Sequence, residues 1–229
     1  MKNLGDLQYI LGISVTRDNH YLYLNQQAYV EQILNKFGMK DCKPVSTPST
    51  NDVRLVKDDG SRSVNSTEYQ SLIGSLLYLA VATRPDIAHS VGALSKFNGC
   101  PTETHLTAVK RVLRYLKGTS QLGLRYSSTS CEIVGYSDAS WGNDIDDRHS
   151  TSGVVFLFAG SPVAWVSRRQ STVALSTAES EYIALFTATK EAAWLRQLYT
   201  DFGHIQSKGN YNQCGQYVCI GYRKQCKEW

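Results

Sequence analysis

The spacing of the apolar residues changes at Gly118, and this change limits the possible folds more than any other feature of the sequence. Before Gly118, apolar side chains recur every three or four residues, as they do along the buried face of an α-helix. After it, short runs rich in Val, Ile, Tyr and Phe are separated by turn residues, which is typical of β-strands. A long helical pattern then covers about 178–198. We therefore predict an α/β (α+β) chain, in which a mostly helical part precedes a sheet and one long helix.

The N-terminal residues predict a β-hairpin and a short helix. Alternation of apolar and polar residues marks a first strand over 9–15, Asp18-Asn19 supplies the turn, and the second strand covers 21–24. The apolar residues that follow lie on one helical stripe. Gly38 is placed to end that helix, because glycine readily adopts the left-handed conformation found after helix ends.

A polar connector separates this region from three helices predicted within 66–118. Residues 41–66 are rich in Pro, Ser, Thr, Asp and Asn and lack clear periodicity, so we expect an exposed connector that is either functional or poorly ordered. The helix that begins at Ser66 has few polar positions, and we expect it to be deeply buried. Its expected core residues are Tyr69, Leu72, Ile73, Leu76, Leu77 and Ala80. Pro85 suits the first turn of the second helix.

The third helix, capped by Thr102, carries a basic face opposite its apolar stripe. This face consists of Lys110, Arg111, Arg114 and Lys117. Such a face can neutralise the phosphates of a nucleic acid, and each contact adds affinity that salt removes. The alternative is a solvated face that balances the buried one. The net charge of +4 is compatible with a nucleic-acid partner but does not require one.

Two acidic residues could meet in the second part of the chain. Asp138 lies at the end of the predicted strand 132–137, and Glu181 lies in the first turns of the long helix. If this strand and the two that follow form a meander, the helix can cross the sheet and bring Glu181 near Asp138. Neighbouring carboxylates repel each other unless a cation lies between them, and Mg²⁺ prefers hard oxygen ligands. The alternative is that Asp138 caps a turn and Glu181 is a helix-surface acid.

Other acidic residues in this part have different predicted roles. Ser176 and Glu179 fit a capping box, in which the acid folds back onto the start of the helix. Residues two apart on a helix point about 200° apart, so Glu179 and Glu181 cannot both face one metal site. The acids Asp144, Asp146 and Asp147 lack the calcium-loop pattern of an EF-hand, and we expect them to form a solvated turn.

The segment 131–185 closely resembles the ribonuclease H domain of copia-type Pol polyproteins. The motifs that carry the resemblance are YSDASW at 136–141, STSG at 150–153, RRQ at 168–170 and STAESEY at 176–182. The earlier part resembles the end of the copia-type reverse transcriptase, through LGDLQYILGISV at 4–15, CKPVSTP at 42–48, YQSLIGSLLYLAVATRPDIAHSVGALSKF at 69–97 and HLTAVKRVLRYLKGTSQLGL at 105–124. Several motifs in register make this match specific. It covers residues 4 to about 208.

The resemblance implies three segments. Residues 1–127 would be the C-terminal part of a reverse transcriptase, 128–208 the N-terminal part of a truncated ribonuclease H-like mixed sheet with a long helix, and 209–229 a divergent tail. In that family, four carboxylates hold two Mg²⁺ ions that cut the RNA strand of an RNA–DNA hybrid. By match of motifs, Asp138 would be the first of these metal ligands and Glu181 the second.

The two remaining carboxylates of the family have no counterpart here. The third belongs to an Asp-Asn-x-Ser segment, whereas 209–229 contains no Asp and has Glu228 as its only acid. Because two carboxylates balance only half the charge of two Mg²⁺ ions, we expect the ion pair not to bind and the nuclease to be inactive. The polymerase motif Tyr-x-Asp-Asp is absent from 1–130, so no polymerisation is expected either.

The tail offers two interpretations. Its cysteines Cys214, Cys219 and Cys226, together with His204, could be considered as a zinc site, but their spacing fits no usual C-x₂-C pattern. A frameshift near residue 208 explains the sudden loss of resemblance better. Translation of the other two reading frames tests this idea, which requires an Asp-Asn-x-Ser segment downstream.

Three hypotheses follow for the whole chain. It is a retrotransposon-derived fragment without activity, a non-catalytic nucleic-acid-binding module, or a nuclease completed by a longer gene product. The module would use Arg168 and Arg169 together with the basic face of the third helix. We expect an RNA–DNA hybrid or primer–template duplex as the family's partner, and neither a membrane nor a small-molecule substrate. No secretory signal or run of about 18–20 apolar residues is present, so the expected location is the cytoplasm or nucleus.

Overall fold

The protein is described by a computed structural model that covers residues 5–50, 55–127 and 133–203, with the backbone of 212–214 and 217–219. It divides into two compact units. The first consists of Met1–Asp18 and Leu22–Leu124, and the second of Asn19–Tyr21 and Arg125–Trp229. The sequence prediction placed the border after residue 127. Helices together with antiparallel sheets confirm the predicted α/β (α+β) class.

The described part of the first 118 residues contains three short strands and four helices. In chain order they are β1 (Tyr9–Ile10), β2 (Ile13–Arg17), β3 (Tyr21–Asn25), α1 (Gln27–Lys36), α2 (Ser66–Ala82), a 3₁₀ turn (Pro85–Ile87), α3 (Ala88–Ser95) and α4 (Glu103–Gly118). The apolar faces of the helices share one core, to which α2 and α4 contribute most of the side chains. The predicted helices therefore exist, and Pro85 begins the turn that leads into α3.

The N-terminal strands depart from the prediction of one hairpin. β1 pairs with β2 as well as β2 with β3, both antiparallel. Leu11 and Gly12 form the extra turn with φ angles of 48° and 75°, the combination that a two-residue hairpin turn needs. The prediction of one strand over 9–15 was therefore wrong. Leu11 lies in the turn with 78% of its surface exposed.

Helix ends follow the sequence signals closely. Gly38 adopts a φ of 65° after α1, and the Met39 N–H donates to the Leu34 carbonyl at 2.7 Å. The Gly38 N–H donates to Asn35 at 3.2 Å, which completes a Schellman ending. The side chain of Asn65 caps α2 by accepting from the backbone N–H groups of Thr67 and Glu68.

α2 is less buried than its sequence predicts. One side packs in the core, where Leu76 and Leu79 are fully buried. The opposite side exposes Leu77 by 37%, Tyr78 by 39% and Val81 by 74%. The prediction of a deeply buried helix that included Leu77 was wrong on this side, because apolar composition alone does not say which faces have a neighbour.

The connector between α1 and α2 lies along α4 and around its N-terminal end. The buried His105 ring approaches the Val56 carbonyl through Nε2 at 3.1 Å, while its Nδ1 accepts from the Thr102 N–H at 3.1 Å. Val45 and Leu55 pack against the core. The sequence predicted that this connector is either functional or poorly ordered. The contacts with α4 and the core argue against poor order in the part of 41–66 that the structure describes.

The second unit contains a three-stranded meander and a long helix. Its elements are β4 (Gly123–Ser127, whose first two residues belong to the first unit), β5 (Ile133–Ser140), β6 (Thr151–Phe158), β7 (Ser161–Arg169) and α5 (Thr177–Asp201). β5 pairs with β6 and β6 with β7, both antiparallel, which confirms the predicted meander. α5 crosses one face of this sheet, where Val154 and Phe156 pack against Ala188 and Leu195.

Little of the predicted divergent tail can be described. Two short antiparallel strands follow, β8 (Asn212–Cys214) and β9 (Tyr217–Cys219). His204 and Cys226, considered above as zinc ligands, lie outside the described residues, as do the side chains of Cys214 and Cys219. Within the part of the chain that is described, no helix combines the length and apolar character needed to cross a membrane.

Candidate metal centre

Asp138 lies near the C-terminal end of β5, two residues before the strand ends at Ser140. Its backbone pairs with Gly153 of β6. Side chains on β5 alternate, so Asp138 shares its exposed face with Tyr136, whereas Ser137 on the other face is buried. The carboxylate therefore emerges from a regular, hydrogen-bonded strand whose backbone position is fixed by the sheet.

Glu181 lies in the first turns of α5, behind a well-defined helix start. The Ser176 hydroxyl accepts from the Glu179 N–H at 3.1 Å, and the Glu179 carboxylate accepts from the Leu175 N–H at 2.7 Å. Glu179 is thus committed to the helix start, as the capping-box pattern predicted, although its partner is Leu175 and not the cap residue itself. Glu181 points elsewhere and is half-buried.

The structure brings the carboxyl groups of Asp138 and Glu181 within hydrogen-bonding reach of each other. Loss of water raises the pKa of Glu181, and the charge of Asp138 together with their hydrogen bond raises it further. A hydrogen bond from the backbone of Ala139 acts in the opposite direction. The meander predicted from the sequence therefore does place the helix start beside this strand, and Asp138 opposes the ionisation of Glu181.

Two carboxylates held in contact provide hard oxygen ligands for one divalent cation. Such an ion would relieve the repulsion between them, and Mg²⁺ commonly binds through one or two protein carboxylates with water completing its shell. Among the residues that the structure describes, no group of three or more His, Cys, Asp or Glu side chains could hold a metal. The pair thus fits a single ion, and its role as a metal site stays a prediction.

Two residues to which the sequence prediction gave no role make hydrogen bonds around this pair. Gln170 follows β7 and is 5% exposed. Its Nε2 donates to the Ser152 hydroxyl at 2.8 Å and to the Ser180 carbonyl at 2.9 Å. The Trp141 indole N–H donates to Ala174 at 3.0 Å and so fixes the loop that leads into α5. The RRQ motif contained Gln170, but only the structure reveals its partners.

The acidic loop between β5 and β6 is more ordered than predicted. Asp144 is 8% exposed and accepts from the Asp146 N–H at 3.1 Å, and Asp147 forms an ion pair with Arg169. The expectation of a solvated turn was wrong for Asp144, because backbone groups within the loop bind its carboxylate. Both arginines proposed to contact nucleic acid are exposed, and Arg169 is in addition paired with Asp147.

The basic face of α4 is divided in the same way. The Arg114 Nε donates to the Lys43 carbonyl at 2.8 Å, and the Arg111 guanidinium donates to Thr47 at 2.9 Å. These two arginines hold the connector. Lys110 and Lys117 are exposed on the same helix. The structure therefore separates two structural cations from two that remain accessible, and nucleic-acid contact by any of them stays a prediction.

The sequence is similar to retrovirus-related Pol polyproteins of plant transposons. It is 41% identical over 216 residues to that of transposon TNT 1-94 from Nicotiana tabacum, which covers 91% of this chain and 16% of the relative. It is 38% identical over 204 residues to that of transposon RE1 from Arabidopsis thaliana, covering 89% of this chain and 14% of the relative. An uncharacterized mitochondrial protein of Arabidopsis thaliana is 36% identical over 199 residues, which cover 85% of this chain and 80% of that protein. No model of a protein family and no solved structure matches the chain.

Proposed function

Because the chain belongs to the copia-type retrovirus-related Pol polyproteins of transposons, we propose that it carries one half of a ribonuclease H metal site behind the last part of a reverse transcriptase. Residues 128–208 would belong to the nuclease and 1–127 to the polymerase. The substrate class would be an RNA–DNA hybrid. The chain spans 14–16% of the two transposon polyproteins, and their other activities are not assigned to it.

The contact between Asp138 and Glu181 is the observation that carries this proposal. A helix-surface acid would avoid another carboxylate, since two like charges in contact raise the free energy of the folded chain. Here the strand end and the helix start hold both acids against each other, and desolvation adds to the cost. An acid whose pKa is raised by desolvation and by a neighbouring carboxylate is a candidate for a metal or catalytic site.

The two residues would have defined tasks. Asp138 and Glu181 would bind one Mg²⁺, and that ion would supply the electrostatic activation that phosphodiester hydrolysis requires. The sheet fixes Asp138, the capped helix start fixes Glu181, and the Ala139 N–H orients the Glu181 carboxylate. No third acid of the described residues lies with them. Since two metal ions carry four positive charges, two carboxylates leave half of that charge unbalanced.

We therefore propose that the 229-residue polypeptide, by itself, binds one divalent ion and does not cleave an RNA–DNA hybrid. The test combines Mn²⁺ titration, followed by electron paramagnetic resonance, with a cleavage assay on a hybrid labelled in its RNA strand. The matched variants are Asp138→Asn and Asp58→Asn, the latter an exposed acid of the first unit. We expect one bound ion in the unchanged chain and in Asp58→Asn, and none in Asp138→Asn.

Two results would contradict the proposal in different ways. Mn²⁺ binding that Asp138→Asn leaves intact would remove the metal site from these residues. Mg²⁺-dependent cleavage that disappears in Asp138→Asn would instead establish a working nuclease, with further carboxylates supplied from elsewhere in the chain or by a second copy.

A second candidate function is binding of nucleic acid without chemistry. The observation that favours it is the exposure of Lys110, Lys117 and Arg168 on two regular elements. Exposed cations can neutralise phosphates, and each such contact adds affinity that salt removes. Arg111, Arg114 and Arg169 would contribute less, since they already bind the connector or Asp147.

A further inference from the structure

We propose that Gln170 is a positioning residue for the Asp138–Glu181 pair, and that its side-chain amide holds the start of α5, which carries Glu181, beside the strand that carries Asp138. The inference rests on the metal-binding function proposed above. It concerns a residue that does not itself contact the ion. The experiment below separates a failure of this inference from a failure of the metal site.

Gln170 joins three elements at one point. It follows the end of β7, its Nε2 donates to Ser152 of β6 at 2.8 Å, and the same nitrogen donates to the Ser180 carbonyl of α5 at 2.9 Å. Its own backbone N–H donates to Ser150 at 2.8 Å. With an exposure of 5%, the side chain is closed off from solvent. A buried amide with this set of partners has very little freedom to move.

The orientation of the amide is fixed by one of its partners. The Ser180 carbonyl can only accept, so the nitrogen of the amide must face it. The opposite orientation would place two oxygens against each other. Oε1 is consequently buried without a hydrogen-bond partner among the described residues. Retaining such an atom costs stability, which indicates that the nitrogen's contacts to β6 and α5 are the purpose of this residue and not general packing.

Both contacts lead directly to the metal ligands. Ser180 immediately precedes Glu181, so fixing its carbonyl fixes the first turn from which the Glu181 side chain extends. Ser152 pairs across the sheet with Ala139, the neighbour of Asp138 and the residue whose backbone binds the Glu181 carboxylate. Gln170 thus connects the strand that carries one acid, through β6, with the helix turn that carries the other.

Without this link, the repulsion between the carboxylates would move the helix start. Among the described residues, the Ser176 cap binds only groups of α5 itself, and the Trp141–Ala174 bond acts on the preceding loop. Neither opposes a shift of the first turn away from β5. Residues that orient metal ligands in this manner typically change metal affinity about tenfold to a hundredfold when removed.

The test compares Mn²⁺ affinities of the full 229-residue chain and three variants, measured by electron paramagnetic resonance at a temperature where circular dichroism shows all of them folded. Gln170→Leu removes both hydrogen bonds at similar volume. Ser152→Ala removes one and keeps the bond to Ser180. Gln197→Leu is the matched control, since Gln197 is exposed on the same helix and binds only Asp201 in the described residues.

We expect Gln170→Leu to weaken Mn²⁺ binding at least about tenfold, Ser152→Ala to weaken it less, and Gln197→Leu to leave it unchanged. Thermal unfolding without metal provides the second measurement. A residue with only a structural role would lower the Tm of Gln170→Leu but leave the affinity of the folded chain unchanged, and that outcome overturns the inference. Absence of Mn²⁺ binding in the unchanged chain would overturn the metal site instead.

Discussion

At the scale of single residues, ionisation of Glu181 has a cost in the folded chain, because desolvation and Asp138 disfavour its charged form. A carboxyl group whose pKa is higher in the folded than in the unfolded chain loses stability when it ionises. For Glu181, desolvation and the neighbouring Asp138 raise the pKa. This loss is absent below the unfolded value of about 4.3 and grows as the pH rises through the folded value.

Asp138→Asn should therefore stabilise the folded chain at pH 7 while abolishing metal binding. Removing the charge of residue 138 lets the Glu181 carboxylate ionise with less opposition. We expect a higher Tm for Asp138→Asn than for the unchanged chain at pH 7, with the difference shrinking towards pH 4. Added Mg²⁺ should also reduce this difference in Tm, because it raises the Tm only of the chain that has both carboxylates. A lower Tm at pH 7 would contradict the assigned repulsion.

At the scale of elements, local sequence signals determined most boundaries, and neighbours in space determined the exceptions. Gly38, Asn65 and Ser176 act at the helix ends where their chemistry is needed, so these ends were visible in the sequence. The Leu11-Gly12 turn was missed because the alternating pattern continues through it. Leu77 was misjudged because composition does not reveal which side of a helix lacks a partner.

The same distinction between local sequence signals and neighbours in space applies to the candidate site. The meander and the helix start were predictable from periodicity, and they place Glu181 on the side of Asp138. The contacts of Gln170 were not predictable from the sequence, since its amide binds a serine of one element and a carbonyl of another. Likewise, four cations on one face of α4 look equivalent in sequence. Only the fold shows that Arg111 and Arg114 bind the connector.

Because Arg114 binds the connector while Lys110 and Lys117 do not, replacing these neighbouring cations should affect the free energy of unfolding differently. Arg114→Ala should lower the free energy of unfolding by about 1 kcal/mol, because the charged hydrogen bond that holds Lys43 is lost at a partly exposed site. Lys110→Ala and Lys117→Ala should stay within about 0.5 kcal/mol of the unchanged chain. Urea unfolding followed by circular dichroism measures both. Equal losses for arginine and lysine variants would argue against the connector contacts.

The same lysines are the ones expected to act on nucleic acid. If Lys110 and Lys117 each neutralise one phosphate of a hybrid, their joint replacement by alanine should reduce the slope of log affinity against log salt by about 1.8. The arginine variant should change this slope less. An unchanged slope in the lysine variant would remove α4 from any nucleic-acid interface.

At the scale of the whole molecule, the two units have separate cores of very different size. Among the described residues, the first core joins eighteen buried side chains from α1 to α4, whereas the second joins five from the meander and α5. Burial of apolar surface is the main source of folding stability, so the second unit should be the weaker one. A chain with two cores of this kind need not unfold in a single transition.

Tryptophan fluorescence can test this directly, because Trp141, Trp165, Trp194 and Trp229 all belong to the second unit. Fluorescence should change at a lower urea concentration than the far-ultraviolet circular dichroism, to which the helices of the first unit contribute strongly. Val154→Ala should shift only the fluorescence transition to lower urea concentration, and Leu76→Ala only the later transition. Each variant should lower the free energy of unfolding of its own unit by about 2–3 kcal/mol, because core volume is lost. Mg²⁺ should shift only the fluorescence transition to higher urea concentration, because the proposed metal ligands lie in the second unit. Coincident transitions that both variants shift together would mean that the units fold as one.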